Sequence, residues 1–154
     1  MKKVEAFEPW IFLFFGAFHL HRVWGLLDRE SYARFWVDMM ENQGWFYFLL
    51  MGVLAGLCVL GIIAFFKNRH QNAWWRWIYV MGGSYVLFDL CAILTKWELW
   101  HQLILRMYDT EAAYWNLLWF FFILMGGAAF ALGINLLVDR LKKQAPDCLS
   151  QMDN

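Results

Sequence analysis

The chain is 154 residues long, 62% hydrophobic and 21% aromatic, with 17% charged side chains, 11 tryptophans and 2 prolines. Soluble domains run nearer half apolar and about a quarter charged, so the composition argues against a soluble domain and equally against disordered or collagen-like classes. The 13 basic and 13 acidic side chains cancel, which removes any global electrostatic reason to bind nucleic acid.

Crossing a hydrocarbon core takes about 20 helical residues, and four apolar runs are long enough: 10–27, 45–66, 77–97 and 114–138. Aromatic residues bound each run: Trp10, Trp45, the Trp74/Trp75/Trp77 cluster, Trp97 with Trp100, and Trp115 with Trp119. Such rings favour the headgroup level. No alternating ten-residue segments of a barrel are present. The expected fold is therefore all-α: a polytopic four-transmembrane-helix bundle, one membrane domain over 1–143 with a flexible polar tail at 144–154. Lys2 and Lys3 open the chain as a secretory signal would, but Glu5, Glu8 and Pro9 interrupt it and no small-residue cleavage site follows Leu27. The first run thus reads as a retained span.

Lys2, Lys3, Lys67, Arg69, Arg76, Arg140, Lys142 and Lys143 gather on the side that holds both termini and the second-to-third connection. The positive-inside bias places that side in the cytoplasm. The opposite side is acidic, with Asp28, Glu30, Asp38, Glu41, Glu98, Asp109 and Glu111.

Between the first two spans, Tyr32, Phe35, Trp36, Met39 and Met40 recur at helical spacing while Arg34, Asp38 and Glu41 fall opposite. A short amphipathic outer helix is expected there, lying on the leaflet or capping the bundle. After the third span, Leu99, Leu103 and Met107 keep the periodicity, so that helix continues past the membrane or bends. Asp109 or Thr110 is placed to cap the fourth. Gly52 with Gly56, and Gly126, Ala129 and Gly133, are placed for close helix–helix approach.

The residues that hydrocarbon rejects carry the functional signal: His19, His21 and Arg22 in the first span and Asp89 in the third. A central Arg or Asp costs roughly 2.5–3.5 kcal/mol on insertion scales and is usually paired inside a bundle. The spacing from Trp10 to Arg22 equals that from Trp77 to Asp89, about 18 Å of helix in each case. The first and third spans run in the same direction, so Arg22 and Asp89 are expected to share a level and pair. His19 lies one turn from Arg22, whereas His21 lies on a different face. On the third span Gly82, Tyr85, Asp89, Ala92 and Lys96 form a seam, and Glu98, His101 and Asn116 add polar groups near the same outer level. Either these groups line an outward-facing pocket, or the charged pair fixes helix register.

Several chemistries are disfavoured. Haem requires two histidines at matching depth, and His19, His70 and His101 lie at different ones. His19 and His21, two residues apart, point to opposite sides of a helix and make a poor metal pair. No metal and no cofactor is therefore expected. Cys58, Cys91 and Cys148 form no CxxC pair for thiol redox work. Ser84 has no histidine base evidently in reach.

Acid–base work on a lipophilic substrate stays open through Asp89, His19 and Tyr85. The four-span layout, with Phe18-His19 in the first span, Asp28 at its end and Trp45-Phe46 opening the second, loosely resembles the EXPERA group of sterol-binding and sterol-isomerising membrane proteins. That resemblance implies a lipophilic ligand or an isomerase-like reaction. The group's acidic residue in the second span has no counterpart between residues 45 and 66.

The leading expectation is a membrane protein binding a small lipophilic or amphipathic ligand, or a partner helix, around His19, His21, Arg22, Tyr85, Asp89, Lys96, Glu98, His101 and Asn116. An intramembrane acid–base enzyme and an accessory subunit of a larger complex are the alternatives. Its partners would be membrane lipid, a lipophilic small molecule and another membrane protein or second copy, with no nucleic acid.

Overall fold

The computed structural model describes residues 4–68, 70 and 73–152, with side chains up to Lys142. Among the described residues there is no strand, and the helices run α1 (Glu8–Leu20), α2 (Val23–Leu27), α3 (Arg29–Asn42), α4 (Trp45–Lys67), α5 (Arg76–Leu94), α6 (Glu98–Met107) and α7 (Trp115–Met152). Four stretches are long and apolar enough to cross a membrane: Glu8–Leu27, Trp45–Lys67, Arg76–Leu94 and Trp115–Lys142. The polar segment from Gln144 continues the helical backbone of α7 to Met152. By their internal contacts the described residues form two compact units, one made of 4–23 with 120–152, the other of the described residues within 24–119.

In the first unit α1 meets the later part of α7 through glycines. A methyl added at Gly16 would lie 2.7 Å from Cβ of Phe130, one at Gly126 2.6 Å from Cβ of His19, and one at Gly133 2.9 Å from the backbone nitrogen of Leu13. Only hydrogen at these positions lets the backbones approach so closely, and the Gly126/Gly133 stripe does what its spacing implies. At its start, α1 has Pro9 in the first turn and the buried Glu8 carboxylate accepting from the Glu5 amide at 2.7 Å. Further along α7, Arg140 donates to the Ala6 carbonyl at 2.8 Å.

The first span is not one helix. α1 stops at Leu20 and α2 starts at Val23. An interrupted helix leaves carbonyls without amide partners, and in an apolar setting nearby side chains must supply donors. Here the Phe18 carbonyl takes the His21 ring nitrogen Nδ1 and, at 3.3 Å, a guanidinium nitrogen of Arg22.

In the second unit α4 and α5 pack as an antiparallel hairpin. Tyr47, Leu54, Cys58, Gly61 and Ala64 form the buried face of α4; Arg76, Tyr79, Gly83, Leu90 and Ala92 form that of α5. A Cβ at Gly61 would sit 3.2 Å from the Tyr79 ring, and one at Gly83 3.5 Å from the Cys58 carbonyl. The expected Gly52–Gly56 contact is absent: a Cβ at either position would meet nothing within 4 Å. Two residues along a helix is about 200° of rotation, so a buried stripe through Leu54 and Cys58 turns Gly52 and Gly56 away.

The amphipathic segment is α3, with the Asp28 carboxylate accepting from the Ser31 amide at 3.0 Å as its N-cap. Tyr32 buries completely in a ring cluster with Trp24, Trp36, Tyr108, Trp115 and Trp119, so α3 caps the second unit through its apolar face. Trp115 and Trp119 are 0% and 1% exposed. They are core residues and not headgroup anchors, because α3 and the residues before α7 cover them; the Trp115 indole donates to the Gly25 carbonyl at 2.9 Å. Asp109 does not cap α7: its carboxylate accepts from the Glu111 amide at 3.0 Å and closes a turn ahead of that helix.

Candidate functional site

The polar centre of the second unit is built on Asp89. Its carboxylate accepts the indole N–H of Trp100 at 2.6 Å, a short charge-assisted bond. On a continuous helix the two residues would lie about 16 Å apart along the axis. They meet because α5 ends at Leu94 and the chain reverses. The Lys96 amide donates to the Ile93 carbonyl at 3.1 Å and the Trp97 amide to the Ala92 carbonyl at 3.0 Å, with Lys96 left-handed at φ 51°. This paired-bond C-cap normally places glycine where Lys96 stands. The returned indole is fixed by Phe88, ring centroids 5.1 Å apart, and is stacked with Trp97 at 6.4 Å.

Two phenols, Tyr47 from α4 and Tyr85 from α5, lie within electrostatic range of Asp89. Tyr85 is exposed, one turn before Asp89. Tyr47 is 0% exposed, and its hydroxyl has no hydrogen-bond partner. A buried hydroxyl left unsatisfied is costly and uncommon. The group therefore combines a carboxylate, which accepts, with a buried phenol that still has a proton to donate.

The other residues anticipated from sequence fall in several places. His19, His21 and Arg22 belong to the first unit. There the Arg22 guanidinium lies 4.8 Å from the Phe122 ring centroid and 5.5 Å from that of Phe18, a cation–π cradle, while His19 meets Phe122 edge-on at 5.9 Å. Since Arg22 and Asp89 belong to different units, their pairing rests on the sequence count. Lys96 is exposed in the turn after α5. Glu98 accepts from the Gln102 side chain at 2.8 Å, and Asn116 accepts from Arg29 at 2.9 Å. His101 is half-buried on α6, its amide bonded to the Trp97 carbonyl at 2.9 Å.

Tyr47 and Trp100 were not anticipated. Tyr47 was legible in principle: it stands seven residues, about two helical turns, before Leu54 and so shares the buried face of α4. Trp100 was not, since its approach to Asp89 depends on a turn that a lysine disguises. No family model, curated protein or solved structure matches the chain.

Proposed function

We propose that this chain is an integral membrane protein, its four apolar helices forming a bundle with both termini in the cytoplasm, that binds a small amphipathic ligand at Asp89. The observation that carries this reading is the Tyr47 hydroxyl, fully buried and without a hydrogen-bond partner, within electrostatic range of the Asp89 carboxylate that accepts from Trp100. A ligand head that both donates and accepts, such as a hydroxyl, matches the pair: it gives its proton to Asp89 and receives that of Tyr47. The apolar helices around the group suit a hydrocarbon body. Intramembrane ionisable groups of this kind ordinarily mark function.

Native mass spectrometry of the protein released from nanodiscs tests the reading. Wild type is expected to carry a small hydroxylated amphiphile, and Asp89→Asn to lose it. Tyr47→Phe, which removes one buried donor, weakens retention by about tenfold. Wild-type protein carrying only bulk phospholipid, or equal retention by all three proteins, overturns it.

A further inference from the structure

α6 carries two adjacent strips at four-residue spacing: Leu99, Leu103 and Met107, and beside them Glu98, Gln102 and Arg106. Leu99 and Leu103 are 68% and 46% exposed, and the three polar residues are exposed as well. Ile104, which is buried, takes the inward side of the helix, with Trp100, His101 and Leu105 half-buried. The outward side is thus divided into an apolar and a polar strip. We infer that α6 lies in the plane of the membrane at the edge of the hydrocarbon, with Leu99 and Leu103 against the acyl chains of the leaflet in which α5 ends and the polar strip toward the headgroups. This rests on the reading of the apolar helices as membrane spans.

Three observations lead to that occupant. Depth comes first: the Trp100 indole donates to Asp89 at 2.6 Å, and Asp89 stands five residues, roughly 7–8 Å of helix, short of the end of α5 at Leu94. α6 is therefore tied back beside the last turns of an apolar helix and does not project away from it. Continuity is the second. Phe88 and Leu94 on α5 and Trp97 in the turn are exposed, and Phe88 meets the rings of Trp97 and Trp100 at 6.0 and 5.1 Å. Through this ring cluster α6 joins the apolar surface that α5 itself exposes. Composition is the third. A helix at the boundary sinks its apolar side roughly 5–10 Å below the headgroups, while long cationic side chains reach back to water. The two leucines and Arg106 divide these tasks, and the Gln102 side chain donates to Glu98 at 2.8 Å within the polar strip. A protein partner fits less well. Two leucines supply only a small part of the about 800 Å² per partner that stable interfaces bury, and a bilayer sets no such minimum.

The test places single nitroxide labels on Leu99→Cys, Leu103→Cys, Glu98→Cys, Gln102→Cys and, in mid-α4, Val53→Cys. The full chain lacking Cys58, Cys91 and Cys148 is held in phosphatidylcholine nanodiscs. Collisions with oxygen, which concentrates in hydrocarbon, are compared with those of a water-soluble nickel chelate. All five positions are exposed, so the labels displace no core packing. Labels at Leu99 and Leu103 are expected to collide chiefly with oxygen, and those at Glu98 and Gln102 chiefly with the chelate. With Val53 favouring oxygen, three results overturn the inference and leave the spans intact: chelate preference at both leucines, protection of the leucines from both reagents as a protein partner would give, or oxygen preference at all four α6 positions. Chelate preference at Val53 overturns the membrane reading and the inference with it.

Discussion

Single side chains decide how the Asp89 group is held. Replacing Trp100 by Phe keeps the ring packing against Phe88 and Trp97 but deletes the indole donor at 2.6 Å. The expected cost is about 1.5–3 kcal/mol, since the lost bond was made to a charged group; it is read as a lower melting temperature in detergent. Lys96 works in the other direction. Held left-handed at φ 51°, it bears strain that glycine does not, so Lys96→Gly stabilises by roughly 0.5–1 kcal/mol after glycine's extra unfolded-state entropy is subtracted. These two residues show why the site was half legible. Asp89 declares itself as a carboxylate in an apolar run, and Tyr85 shares its helix face. Trp100 reads as a membrane-surface anchor because no glycine or proline marks the reversal that returns it. The turn is made by hydrogen bonds that any residue pair can form, and sequence patterns do not record them.

At the level of helices, apolar run length picked out the four stretches that are long and apolar enough to cross a membrane, yet sequence spacing was a weaker guide to which faces meet. Glycine pairs at four-residue spacing occur on α4 and glycines at seven on α7, and only the second set is used. Gly126→Leu is therefore expected to destabilise the first unit by about 1–3 kcal/mol or more, the over-packing range, since its Cβ would meet His19 at 2.6 Å. Gly52→Ala and Gly56→Ala project into open space and should be neutral or stabilising by up to about 1 kcal/mol through helix propensity. Thermal unfolding of the three variants separates the two faces. The break after Leu20 was invisible for a related reason. His21 and Arg22 look like intruders in an apolar helix, but part of their role is to bond the Phe18 carbonyl that the break releases.

For the whole molecule, apolar content, the four helices long and apolar enough to cross a membrane and the capping helix α3 were readable from the sequence, because run length and helical period mark them. The inferred orientation is checked by single cysteines at Arg34 and Lys142 in a background lacking Cys58, Cys91 and Cys148. An impermeant thiol reagent added outside intact cells is expected to label the first position and spare the second, and the reverse pattern inverts the topology. The glycine contacts of the first unit have a consequence for biogenesis. They join α1 to residues of α7 that leave the ribosome only after α4 and α5 have been made. The hairpin of neighbours in sequence has its partner available at once, whereas α1, part of the least hydrophobic of the four long apolar stretches (Glu8–Leu27, mean hydropathy 1.3), must wait for nearly the entire chain. A nascent chain stopped ahead of Phe120 would thus carry a packed α4–α5 pair and an orphaned first span, the form that a quality-control protease would be expected to recognise.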